Sequence, residues 1–339
     1  MGQARLQLAV LSTVTVLAAG IGVGTAWATP LAPNPPDSDQ HAPSHTDQDP
    51  PETPAEENLP AVTPPGSPTA TGSPSPTMVD PTTALHKALT KTAQTSSSAG
   101  HFDFVCGGST GSGRYSAQSK PSVKMDARIS DLNVNGEAKP NKPHLILDNN
   151  VIYANTDGLV KTDPKTPWFK IGVDQLPGPN GRMIASLVHG KINDPATIKG
   201  VVDAYQDVKK VGEESVNGIK TTHYTGTYDA AKARAALGGT TGGMTSPSPM
   251  TSPHHRSPGG ETTSPGAGRT PSNLLFDIWV DNKDSLVRKS QYRSEPDAKT
   301  KLDITSTVTN YNQPVTVSAP PPNQTKQLDP HLLEKWSGS

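Results

Sequence analysis

From Val123 to Ser130 the chain alternates apolar and polar residues without a break: Val123, Met125, Ala127 and Ile129 against Lys124, Asp126, Arg128 and Ser130. Successive side chains of an extended strand point to opposite faces, so this run has one apolar face and one wet face. Strands of a parallel sheet covered on both sides are apolar on both, so a strand like this one belongs to an antiparallel sheet with one face in water. That single pattern removes the doubly wound α/β folds and sets the terms for the rest of the chain.

The pattern recurs. His101–Val105 is a candidate strand, followed by the glycine-rich run 106–113, which reads as a flexible hairpin connection. Residues 144–156 read as two strands about an Asp148–Asn150 turn, and Trp168–Ile171 as a short one. Asn217-Gly218 is a two-residue hairpin signal, because this pair accepts the positive φ that such turns need. The strand after it carries Tyr224 and Tyr228 on one face. Phe276, Ile278 and Val280 alternate along the next, and Leu302, Ile304, Ser306 and Val308 along the last.

Helices interrupt this series. Asp80-Pro81 and Asp194-Pro195 are start signals, since Asp caps free backbone N–H groups and Pro is tolerated at the first helical position. Leu85, Ala88, Leu89 and Thr92 follow the first at helical spacing. Ile198, Val201, Val202 and Tyr205 follow the second. Residues 180–189 carry Ile184, Leu187 and Val188 on one face, and Asp229 caps an alanine-rich segment ended by Gly238-Gly239. The expected fold is α+β: about ten strands in a strongly curved antiparallel half-barrel sheet, with helices packed on its concave apolar face. Few inward residues are large. Either a hollow between sheet and helices or a modest solid core satisfies that pattern.

The rest of the chain is of another kind. Of 339 residues, 35 are Pro and 30 Gly, and only 32 % are hydrophobic, so much of the chain cannot bury enough surface to fold. Residues 1–28 combine Arg5, an apolar run and small residues at Ala26 and Ala28, which reads as an export signal cut before Thr29. The alternative is an uncleaved anchor, since the run reaches the ~20 apolar residues that span a bilayer. Residues 29–79 form a Pro-rich linker without apolar periodicity. Residues 80–322 form the folded domain, with a low-complexity insertion at 240–272, and residues 323–339 form a flexible tail. The product is expected outside the cytoplasm, in the envelope or beyond it.

Function classes fall away in turn. A net charge of -1 gives no basic surface for nucleic acid. The single cysteine, Cys106, excludes an internal disulfide and a thiolate-rich zinc site. The run at 106–113 closes with no Gly-Lys-Ser/Thr, so it is no phosphate loop, and its Gly-Ser spacing misses the nucleophile elbow. No His-Glu-x-x-His motif occurs. Asp277 and Asp281 stand about 13 Å apart along one strand, beyond the roughly 5–9.5 Å of a glycosidase pair. His86, His101, His144, His189 and His223 show no ligand spacing, and His41, His45 and His254-His255 lie in low-complexity segments. The expectation is a protein that is not an enzyme and takes no cofactor or metal.

Four stretches resemble the actinobacterial lipoprotein family that includes LppX and LprG: Val151-Ile-Tyr-Ala-Asn-Thr-Asp-Gly158 with Trp168-Phe169-Lys170; Val211-Gly212-Glu213-Glu214-Ser215-Val216-Asn217-Gly218 with Thr221-Thr-His-Tyr-Thr-Gly-Thr-Tyr-Asp229; Phe276-Asp277-Ile-Trp-Val-Asp281; and Tyr311-Asn312-Gln313-Pro314-Val315 with Ala319-Pro320-Pro321. The match runs over residues 81–322 without the insertion. It rests on order and spacing. The resemblance implies a sheet like that of LolA-type carriers, holding acyl chains of lipids, glycolipids or lipoglycans during envelope transfer or assembly, with a membrane transporter or the cell wall as further contacts. Burial would recover about 0.8 kcal/mol per methylene. The lipidated cysteine of that family is missing here. Residues expected to line a hollow are Met125, Ala127, Ile129, Ile184, Val188, Val202, Phe276 and Ile278. The competing expectation is an exported interaction or sensor domain in which the same residues fill a solid core and no lipid binds.

Overall fold

The computed structural model describes residues 79–140, 142–156, 163–239, 273–298 and 300–329. The export signal, nearly all of the Pro-rich linker, the 240–272 insertion and the end of the tail lie outside the described residues.

Helix α1 (Pro81–Ala93) begins where Asp80 accepts the Thr83 N–H at 2.8 Å. Its apolar stripe of Leu85, Ala88 and Leu89 is buried, and Thr92 accepts the Val287 N–H at 3.0 Å, tying the helix to the sheet. Strands β1 (Ser97–Cys106), β2 (Ser109–Gln118), β3 (Lys124–Val134), β4 (Glu137–Lys139), β5 (His144–Asp148), β6 (Val151–Asn155) and β7 (Trp168–Gly172) follow. Then come α2 (Gly178–Val188), α3 (Pro195–Val202), β8 (Tyr205–Val216), β9 (Ile219–Asp229) and α4 (Ala230–Ala236). Strands β10 (Asn273–Asp281), β11 (Val287–Arg293), β12 (Leu302–Tyr311) and β13 (Thr325–Gln327) complete the order. Asp194 and Asp229 cap α3 and α4 through the N–H groups of Thr197 and Lys232, at 2.9 and 2.8 Å. The β8–β9 turn places Asn217 at φ 49° and Gly218 at φ 80°, as a two-residue hairpin requires.

The strands form one sheet in the order β13-β7-β6-β5-β3-β2-β1-β12-β11-β10-β9-β8, with β4 added to β3. This corrects the expected architecture. The sheet is open, with β13 and β8 as its unpaired ends, and it is neither closed into a barrel nor strongly curled. It is also mixed, because β13 runs parallel to β7 while the other pairings are antiparallel. Closure would need the two end strands to pair, and among the described residues nothing joins β13 to β8. Two glycines of β2 are covered by aromatic rings. A Cβ on Gly111 would stand 2.6 Å from the Phe104 ring, and one on Gly113 would stand 2.4 Å from the Phe102 ring. Those rings lie flat over the glycines, so the run expected as a flexible connection is a strand, and only Gly107-Gly108 makes the turn.

Two further differences matter below. Tyr205 is not on the α3 face but opens β8, a strand of mostly exposed, charged residues. A polar edge strand has no apolar alternation by which a sequence could announce it. β13 lies beyond residue 322, in the segment expected as tail; it extends the sheet by parallel pairing with β7, and Gln327 Nε2 donates to Gln175 Oε1 at 3.3 Å.

Helices α1, α3 and α4 cover the sheet's apolar face on its second half. α1 packs on β8 and β11, α4 on β10, and α3 bridges α1 and α4. One continuous apolar cluster runs from Leu85 to Ile304.

Candidate functional site

The eight residues expected to line a hollow are all buried, none more than 7 % exposed, and all belong to that one cluster. Met125, Ala127 and Ile129 are on β3, while Phe276 and Ile278 are on β10, five places away in the sheet, or about 24 Å at ordinary strand spacing. Around Phe276 the space between sheet and helices is occupied by tyrosines. The Tyr205 ring meets Tyr228 at 4.8 Å and Phe276 at 5.1 Å, and Tyr228 meets Tyr292 at 5.4 Å. Tyr205 and Tyr292 hydrogen-bond to each other through their hydroxyls, whereas the Tyr228 hydroxyl is buried with no partner among the described residues. Burial holds the ionisation of Tyr205 and Tyr228 well above the usual tyrosine range, reinforced in both by the neighbouring Tyr292.

A cleft of about 580 Å³ lies elsewhere, on the wet face where β12, β1, β2, β3 and β4 adjoin. Asp103, Val105, Thr110, Ser112, Asp131, Lys139, Asp303 and Thr305 are among the residues lining it, and none of the eight expected residues is. Register builds it: Thr305, Asp103, Ser112 and Asp131 stand opposite one another on four successive strands. Asp131 accepts from Ser112 Oγ at 2.8 Å, and Asp303 accepts from Gln291 Nε2 at 2.9 and 3.0 Å. Three carboxylates against one ammonium give the cleft a negative balance. Near its rim Cys106 is partly buried, which pushes its thiol up to about 11, far from the range of a nucleophilic thiolate.

A second polar group sits on the same face at β8–β11. His223 places Nδ1 2.8 Å from Glu214 Oε1 and Nε2 2.8 Å from Asp277 Oδ1. Arg293 bonds the other Asp277 oxygen, and Trp279 Nε1 donates to Glu214 at 2.7 Å. The Trp279 ring stacks on His223 at 4.3 Å, with Lys289 Nζ 4.3 Å from its centroid. Hydrogen bonds from Trp279 and His223 hold the Glu214 carboxyl below its usual range. Both imidazole nitrogens are taken by carboxylates, so the ring presents no nitrogen to an outside group, and the network orients side chains rather than abstracting protons. The hairpin at Asn217-Gly218 fixes the register that puts Glu214 opposite Thr221, beside His223 on one face. Counting back from that turn was the signal by which the sequence could have shown the pair. Asp277 and Asp281, discounted above on spacing, each have an arginine: Arg293 for Asp277 and Arg288, at 2.8 Å, for Asp281. Among the described residues no group of three or more His, Cys, Asp or Glu is arranged to hold a metal ion.

Neither a protein-family model nor a curated protein matches the chain. Among solved structures it is similar to LprF from Mycobacterium bovis, at 14 % identity over 70 % of this chain and 96 % of that one, with a TM-score of 0.42. It is also similar to the lipoprotein LppX of Mycobacterium tuberculosis, at 16 % identity over 70 % and 97 %, with a TM-score of 0.40. MucB of Pseudomonas aeruginosa, in its complex with MucA, is similar at 12 % identity over 71 % and 59 %, with a TM-score of 0.30. Likeness at this level identifies no ligand.

Proposed function

We propose that this chain is an exported, non-enzymatic interaction domain with a solid core, which meets its partner on the wet face of the sheet around the Asp103–Asp131–Asp303 cleft. One observation carries the reading: beside β8–β11, part of the ground between sheet and helices where acyl chains would lie is taken by the chain's own aromatic side chains, Tyr205, Tyr228, Tyr292 and Phe276, within a single continuous cluster. Interiors packed in this way have no room for a chain of methylenes without moving large side chains. The cleft on the other face is lined by carboxylates and hydroxyls, which suit hydrogen-bond donors and positive charge and not hydrocarbon. Export rests on the N-terminal signal pattern, and the Pro-rich segment after it suits a spacer that holds a binding domain off a surface.

Native mass spectrometry of the whole chain, purified gently and then incubated with envelope lipids, tests the reading. The expected spectrum has the protein mass alone. A phospholipid or glycolipid held at one per chain and removed only by organic extraction would overturn the solid-core reading.

A further inference from the structure

β8 ends the sheet: β9 pairs with it on one side, and no strand pairs with the other among the described residues. An open edge of this length is a template for another strand, and proteins usually defend one with lysines and bulges. β8 has both, but in an arrangement that suits one visitor. Its centre reads Lys209-Lys210-Val211-Gly212-Glu213-Glu214. Laid antiparallel against a second copy of itself about the Val211–Gly212 bond, it sets Lys210 opposite Glu213 and Lys209 opposite Glu214, twice each.

On a regular strand this pairing would fail. Residues three apart, such as Lys210 and Glu213, point to opposite faces, whereas residues directly opposite in an antiparallel pair share one. The bulge removes the conflict. Between Lys210 and Gly212 the register with β9 shifts, leaving Val211 as the extra residue. Lys210 then stands opposite Tyr224 and Glu213 opposite Thr222, two residues apart on β9, so the two charges share a face. Lys209 opposite Thr225 and Glu214 opposite Thr221 likewise share the other face. Val211, 56 % exposed, falls at the axis, and Gly212 beside it has open space where a side chain would be.

We infer that β8 is the contact of a two-fold homodimer, a second copy of this chain continuing the sheet across the edge. The same lysines that repel other strand edges meet glutamates in this one.

The test is sedimentation of the whole chain over a wide concentration range. Wild type is expected to show a monomer–dimer equilibrium. Lys210→Glu alone and Glu213→Lys alone each turn two attractive cross-strand pairs into like-charge pairs and weaken dimerisation about tenfold or more. Mixing the two single variants restores association, as does combining both substitutions in one chain. Both positions are exposed, so circular dichroism and melting are expected to stay as in wild type. A wild type that stays monomeric at every soluble concentration would overturn the dimer and leave the edge to a strand of a different partner. A dimer that survives both single variants unchanged would overturn it as well.

Discussion

Replacing Tyr228 by Phe is expected to stabilise this protein, an unusual outcome for a core substitution. The Tyr228 side chain is fully buried, and its hydroxyl has no hydrogen-bond partner among the described residues. A buried hydroxyl without a partner costs about 1–3 kcal/mol, because it gave up water and received nothing. Removing the oxygen recovers that cost, less a small term for the void it leaves, for a net gain of about 1 kcal/mol. In a domain of this size that is a rise of about 2–4 °C in melting temperature. Tyr205 and Tyr292 supply the control. Their hydroxyls bond to each other, so Tyr292→Phe strands the Tyr205 hydroxyl and should cost about 1 kcal/mol, while Tyr205→Phe removes one bond from Tyr292 and should cost no more. The double variant should cost less than the two single costs together, since it strands neither. Urea unfolding of the four variants, read by circular dichroism at fixed temperature, measures all of this. A loss of 1 kcal/mol or more on Tyr228→Phe would mean that the hydroxyl is bonded to something held inside the core. The solid-core reading would then fail along with the arithmetic.

Three further outcomes follow from geometry. Arg288→Ala removes the guanidinium that bonds Asp281, a buried carboxylate, at 2.8 Å and leaves it backbone donors such as Lys283 N–H, so it is expected to cost about 2–3 kcal/mol in urea unfolding, with part regained by adding Asp281→Asn; a cost under about 1 kcal/mol would contradict the pairing. Gly113→Ala would put a methyl 2.3 Å from the Arg128 carbonyl oxygen and 2.4 Å from the Phe102 ring, for an expected loss of about 2–3 kcal/mol, whereas a neutral result would show that the ring does not lie on the glycine. Burial raises the ionisation of Tyr115 to about 12, and holds that of Tyr205, Tyr228 and Tyr311 well above the usual tyrosine range. A raised folded-state value favours the neutral phenol, so stability is complete below the ordinary tyrosine value of about 10 and is lost as pH rises through the folded-state values. The phenolate absorbance should then appear together with loss of circular dichroism; ionisation well before unfolding would disprove the burial.

Much of the sheet was legible because its strands face water on one side only. Met125, Ala127 and Ile129 alternate with polar residues, and Asp80, Asp194 and Asp229 announce helix starts through local capping chemistry, which depends on nothing distant. What was not legible depends on how strands pair. Gly111 and Gly113 look like loop residues until Phe104 and Phe102 lie over them from the next strand. β8 is too polar to read as a strand until β9 pairs with it. Openness itself is a property of which strands end the sheet, and no local pattern records that. For the site, the eight apolar residues were rightly placed inside, but inward-facing does not distinguish a wall from a filling. The meeting of three tyrosines beside Phe276, brought together from β8, β9 and β11, is equally invisible to local pattern.

The strand order has a kinetic corollary. Apart from β4 and β13, the sheet is two runs in which chain neighbours are sheet neighbours, β1 to β7 and β8 to β12, joined along a single seam where β1 pairs with β12. Most pairings within each run close over short connections, the main exception being β9 with β10, which have α4 and residues 240–272 between them. The seam must bring together residues some two hundred positions apart, such as Phe104 and Ile304, and loop closure over that span has to be met before any contact rewards it. We therefore expect the β1 and β12 amides to gain protection last in pulse-labelled refolding, so that a chain halted at that stage holds two half-sheets with their central edges bare; early protection of the seam would reverse that order. That interval is when this protein is most open to wrong pairing.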